Sequence, residues 1–148
     1  SKCANVKKRK RQTYKGKYKC KNPDKYKGRT GNIIYRSLWE RKFMLYCDKV
    51  ESVLEWSSEE IVIPYISPVD TKMHRYYPDF WIKYINLRGD IAEKVIEIKP
   101  KAQTIEPREK YWRTYKTYQI NKAKWDSAWT FCTENNMQFQ ILTEDHLF

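Results

Sequence analysis

Two apolar segments that read as neighbouring strands each carry an acid where a core residue is due, and no other feature constrains the fold as much. Arg75–Ile85 and Ile91–Lys99 are rich in aromatic and β-branched residues, and the stretch Asn86–Asp90, with Gly89, joins them as a turn. In the first, Asp79 stands between Pro78 and the aromatics Phe80 and Trp81, a costly place for a carboxylate without a partner. In the second, a side-chain period of two sets Glu97 and Lys99 on one face and Ile96 and Ile98 on the other. Pairing the strands brings two carboxylates and a lysine together. Carboxylate oxygens suit a hard cation such as Mg²⁺, which keeps several waters and binds one or two carboxylates beside a substrate phosphate. Lys99 is then placed to steer or deprotonate an attacking water and to offset charge on phosphoryl oxygens. A lone Glu-x-Lys is more often an exposed ion pair, so the weight rests on the joint pattern.

The flanking segments predict a mixed α/β domain. Ser37-Leu38-Trp39-Glu40 has the form of a capping box, and Trp39, Phe43, Tyr46 and Val50 follow at the spacing of one helical face, so a helix of about three turns follows Tyr35. Glu40 is open to two readings, a structural cap or a member of the acidic site. Glu60–Ile66 reads as a strand, with Pro64 assigning it to an edge or a bulge; Glu59 and Glu60 before it read as solvated, with an outer-sphere metal contact as the alternative. Glu106-Pro107 predicts a helix start with Tyr111, Tyr115 and Tyr118 on one face, and Trp125, Ala128, Trp129 and Cys132 form a second buried stripe. Asn135-Asn136 ends that helix, Met137–Leu142 alternates as a strand, and Thr143 caps a last short turn. The expected order is one helix, an antiparallel meander of three strands, a helical segment and a final strand.

Charge divides the chain in two. Of the 148 residues, 1–29 hold thirteen Lys and Arg against Asp24 alone, and residues 30–148 hold seventeen of each sign, so the net charge of +12 belongs to the first fifth. With few aliphatic side chains, residues 1–29 are expected to form a basic arm without a core, and residues 30–148 the folded domain. Lys7, Lys8, Arg9, Lys10, Arg11, Lys15, Lys17 and Lys19 are candidate phosphate contacts, and the interleaved Tyr14, Tyr18 and Tyr26 are able to stack on bases. Lys101, just past the second acidic strand, is a further candidate. No apolar run reaches membrane-spanning length, and a soluble protein is expected. The four cysteines lack a C-x-x-C pair and read as free thiols. No phosphate-binding G-x-x-x-x-G-K-[ST] loop is present, and the two histidines argue against a His-based catalytic relay.

Pro78-Asp79, followed eighteen residues after the aspartate by Glu97-Ile98-Lys99, resembles the signature of the PD-(D/E)xK nuclease superfamily. Tyr35-Arg36-Ser37-Leu38-Trp39-Glu40, Val62-Ile63-Pro64-Tyr65, Arg75–Trp81, Ile96–Lys101, Lys124-Trp125 and Phe139–Asp145 together resemble the head completion nucleases of T-even-type phages, with matches from about Tyr14 to the C-terminus. The TnsA endonuclease subunit of transposition systems is similar in much of the same grammar. The resemblance implies a central mixed sheet flanked by helices, and an endonuclease that uses Mg²⁺, with Mn²⁺ as a substitute. It implies that Asp79 and Glu97 hold the metal with the backbone carbonyl of Ile98, that Lys99 is the catalytic lysine, and that Glu40 matches the family's helix-borne acid. It further implies DNA substrates (duplex, branched or ends), a role after genome packaging, portal or neck proteins and a second copy as partners, and the infected host cytoplasm or the virion as location. The rival expectations are a structural plug that grips the DNA end and a transposon end-cutting subunit.

Overall fold

The computed structural model describes residues 14–108 and 111–148. A short pair, β1 (Gly16–Lys17) and β2 (Ile34–Tyr35), precedes α1 (Leu38–Lys49), and β3 (Val53–Ser58) follows. Next come β4 (Ile63–Ile66), β5 (Met73–Tyr76), β6 (Phe80–Ile85), β7 (Ile91–Ile98), α2 (Trp112–Glu134), β8 (Gln138–Leu142) and α3 (Glu144–Leu147). The main sheet has the order β3-β6-β7-β8, with β3-β6 and β6-β7 antiparallel and β7-β8 parallel. This is the mixed sheet with flanking helices that was expected.

Two cores lie on opposite faces of that sheet. On one, Phe43, Met44 and Cys47 of α1 pack with Trp56, Phe80, Ile82, Ile96 and Ile98, and the Phe43 and Phe80 rings stand 4.8 Å apart. On the other, Ala128 of α2 packs with Ile63, Tyr65 and Tyr76, flanked by Ile120, Trp125, Phe131 and Phe139. Each fully buried large apolar side chain contributes roughly 1.5–3 kcal/mol.

The expected single strand Arg75–Ile85 is in fact two. β5 pairs with β4 in a separate two-stranded sheet, and the chain changes sheets across Tyr77-Pro78-Asp79 before entering β6. Proline supplies no backbone donor, so a continuous ladder fails there. The three-strand meander is therefore corrected: β4-β5 forms its own hairpin, and the third antiparallel strand of the main sheet is β3, whose Glu55, Ser57 and Ser58 disguise it in the sequence. Helix α2 starts at Trp112 rather than at Pro107 and runs unbroken for 23 residues. Trp129, expected in the core, is 64% exposed.

The expectation that residues 1–29 bury no core is not met by residues 14–29. Tyr18 and Tyr26 are buried against Trp56, with ring centroids 5.9 and 4.7 Å away, and so are not free to stack on bases. The Tyr26 hydroxyl accepts from the Ser58 N–H at 3.2 Å, and Tyr18 is held by Asp48, fully buried on α1. Its carboxylate accepts hydrogen bonds from the Tyr18 hydroxyl at 2.7 Å, the Lys21 N–H at 2.7 Å and the Asn22 N–H at 2.9 Å. Lys25 Nζ donates to the carbonyls of Asp48 and Val50, satisfying the C-terminal end of α1. Among the described residues Cys20, Cys47 and Cys132 are free thiols; Cys3 lies outside them.

Candidate active site

The break between β5 and β6 builds the site. Antiparallel register pairs Phe80 with Ile96, so the preceding Asp79 falls beside the end of β7, where its Oδ2 accepts a 2.7 Å hydrogen bond from the Ile98 N–H. The Asp79 carbonyl accepts from the N–H of Glu59, a residue held at φ 54° just past β3. Two strand ends are thus tied together at the acid.

Glu97 is buried on the α2 face of β7, as the period of two requires. One carboxylate oxygen accepts a short hydrogen bond from the Tyr76 hydroxyl, and the other lies 3.9 Å from Lys99 Nζ. Lys124 Nζ of α2 sits 5.7 Å from the Tyr76 ring centroid. Burial pushes the Glu97 carboxyl upward, against the Tyr76 hydrogen bond and the charges of Lys99 and Lys124. Asp79 is driven well above the ordinary range, chiefly by burial and then by the charges of Glu97 and Glu40.

Glu40 stands both at the start of α1 and beside Asp79. The Ser37 Oγ caps α1 by accepting from the Glu40 N–H at 3.2 Å, while the Glu40 carboxylate accepts from the Arg36 N–H, one residue earlier than a reciprocal capping box would have it. The same carboxylate converges with those of Glu59 and Asp79: one oxygen from each lies within 4.8 Å of the other two. Arg36 also grips Glu59 through Nε at 2.9 Å and Nη2 at 3.3 Å.

An all-oxygen donor set of this span matches ligands sharing one hard cation at about 2.0–2.6 Å each. Burial first, and then the charges of Glu97 and Glu40, hold the Asp79 carboxyl up, and a cation beside it would favour its ionised form. The residues therefore fit a divalent metal.

Two comparisons decide the family. The family model described as TnsA-like endonuclease N terminal matches residues 50–144. The chain belongs to the TnsA-like endonuclease family. It is also 36% identical over 144 residues to the "Head completion nuclease" of Enterobacteria phage T4, covering 90% of this chain and 93% of that protein. Both support an endonuclease role, and the acidic cluster of this endonuclease domain suggests a divalent metal. The matched segment carries Glu59, Asp79, Glu97 and Lys99, whereas Glu40 precedes it.

Within the endonuclease, the structure brings Asp79, Glu97 and Lys99 to one end of β6-β7 and adds Glu40 from α1. Glu59, read as solvated, belongs to the acidic cluster, and Tyr76 and Lys124 were not anticipated beside Glu97. Solvation outweighed the alternative of an outer-sphere metal contact for Glu59 because the strand that delivers it went unread; an acid directly after a strand that pairs with the Asp79 strand was the available signal. Lys101 is engaged at the surface, its Nζ 3.0 Å from Asp145 and its N–H bonded to Glu144. Lys15, Lys17 and Lys19 are exposed around buried Tyr18, while Lys7, Lys8, Arg9, Lys10 and Arg11 lie outside the described residues. Among the described residues no helix is long and apolar enough to cross a membrane.

Proposed function

We propose that this protein is a metal-dependent DNA endonuclease that hydrolyses phosphodiester bonds at branched or terminal DNA during completion of a phage head. The observation that carries the reading is the meeting of Asp79, Glu97 and Lys99 where β6 begins and β7 ends, with Glu40 and Glu59 beside Asp79. The phage context comes from the relative's name alone.

Asp79, Glu40 and Glu59 would hold the metal, with Glu97 and the Ile98 carbonyl as the further oxygens that the family resemblance assigns. A divalent cation there supplies positive charge against the charge that grows on the scissile phosphate. Lys99, fixed near Glu97, orients the water that attacks phosphorus and shares in neutralising the phosphoryl oxygens. The hydrogen bond from Tyr76 favours the charged form of Glu97, and that from the Ile98 N–H favours the charged form of Asp79, each against the upward pull of burial. The bond broken is the one that leaves a 5′-phosphate on the product. Mg²⁺ is the assigned ion, with Mn²⁺ as a substitute. Lys15, Lys17, Lys19, Lys101 and the basic residues 7–11 contact DNA phosphates, portal or neck proteins are the assembly partners, and two copies cut two strands.

The test is incubation of purified protein with linear, nicked and four-way-junction DNA in Mg²⁺. Cutting with preference for the junction or for ends is expected. No cutting of any substrate would favour the structural plug.

A further inference from the structure

Helix α2 divides into a core-forming part and an N-terminal part that lines a groove with residues 102–107. Its core contacts begin at Ile120 and continue through Ala123, Trp125, Ala128 and Phe131, while the preceding two turns lie outside both cores. That N-terminal part presents aromatic and basic side chains. Tyr111 and Trp112 are 68% and 67% exposed, and Arg113 and Lys116 stand over the Trp112 indole at 5.6 and 5.4 Å. From Tyr111 to Trp125 there is no acid, against Arg113, Lys116, Lys122 and Lys124.

Helical spacing links this tip to the active site. At 100° per residue, Arg113 and Lys116 fall within 80° of Lys124, on the side by which α2 meets the body, and Lys124 neighbours Tyr76 and Glu97. Arg113 and Thr117 line a groove of about 330 Å³ against Gln103, just after Lys101. From Trp112 to Lys124 the helix spans about 18 Å, half a turn of B-form duplex. A stripe of cations at this length, ending at the catalytic groups, complements a phosphate backbone, and an exposed indole flanked by cations offers a stacking face to an unpaired base.

We infer that the N-terminal part of α2 is a second DNA contact, with Arg113 and Lys116 on the backbone leading away from the scissile site and Trp112 stacked on an unpaired base at a branch or end. The inference rests on the endonuclease reading above. Its test is fluorescence anisotropy of the full chain with labelled duplex and four-way-junction DNA in EDTA across a salt series, so that binding is read apart from cleavage.

Arg113→Ala with Lys116→Ala is expected to weaken both substrates and to reduce the slope of log K against log[salt] by about two. Trp112→Ala is expected to cost about five- to hundredfold on the junction and little on the duplex. Unchanged far-UV circular dichroism and melting temperature confirm folding, and Trp129→Ala, at the other end of α2, serves as the aromatic control. Wild-type protein that binds and cuts DNA while these variants keep its affinity, salt slope and junction preference would overturn the inference alone and make the tip a protein-docking face. Wild-type protein that neither binds nor cuts would overturn the endonuclease reading with it.

Discussion

The carboxylate of Asp79 is anchored by the backbone N–H of Ile98 at 2.7 Å, so the acid that opens β6 is fixed by the residue between Glu97 and Lys99. Any movement of β6 against β7 therefore disturbs all three side chains together. Asp79 is held in place but also crowded, because its carboxyl is raised by burial and by two neighbouring acids.

That crowding predicts a metal-linked stability. A carboxyl with a raised folded pKa binds its proton more tightly in the native state, so its ionised form at neutral pH destabilises the fold, and the penalty fades as pH falls through the raised value. Asp79→Asn keeps an acceptor for Ile98 and removes the charge. Metal-free Asp79→Asn is expected to melt higher than wild type, and added Mg²⁺ or Mn²⁺ should raise the melting temperature of wild type only. Differential scanning fluorimetry checks both, and an equal metal shift in the variant would place the ion elsewhere.

Tyr76 lowers the pKa of Glu97 by donating to it. In Tyr76→Phe the Glu97 carboxyl should rise further. The acid limb of the pH–rate profile is expected to move to higher pH, with activity recovered at alkaline pH. A uniform loss at every pH would instead assign Tyr76 to substrate contact.

The two roles of Glu40 separate by mutation. Ser37→Ala removes the cap and should cost about 1 kcal/mol of stability with little effect on cleavage. Glu40→Gln keeps an oxygen for the Arg36 N–H and should leave stability nearly unchanged while weakening metal binding and cutting. Urea titration and isothermal calorimetry with Mn²⁺ distinguish these outcomes.

Asp48 predicts how the N-terminal segment is held. Burial raises its carboxyl, but hydrogen bonds from Lys21, Tyr18 and Asn22 outweigh this and leave it below the usual range. Its contribution is therefore fully present above the ordinary carboxylate pKa and lost only as pH falls through the lower folded value. Asp48→Ala strands a buried Tyr18 hydroxyl and two N–H groups, at a cost of about 3 kcal/mol. Hydrogen exchange at residues 16–26 should accelerate before the rest of the fold, and uniform acceleration would show that the segment does not open separately.

What the sequence made legible and what it hid follow from the range of the forces involved. Asp79, Glu97 and Lys99 were readable because period-two alternation and a short turn are local, and the α1 cap was readable for the same reason. Burial of Tyr18 and Tyr26 was not, since Tyr18 depends on Asp48 and Tyr26 on Ser58, 30 and 32 residues further along the chain. The exposure of Trp129 was unreadable too: it stands among the buried Ala128 and Cys132 at core spacing yet faces solvent, and only tertiary packing decides how wide a face of a helix is covered.

The central claim is that Asp79 and Lys99 perform hydrolysis in a metal-dependent site. Single-turnover cleavage of a labelled four-way junction in Mg²⁺ tests it most directly, with DNA binding measured in parallel. Asp79→Ala and Lys99→Ala are each expected to bind DNA as wild type does and to cut at least about a hundredfold more slowly. Cleavage by either variant at the wild-type rate would contradict the assignment.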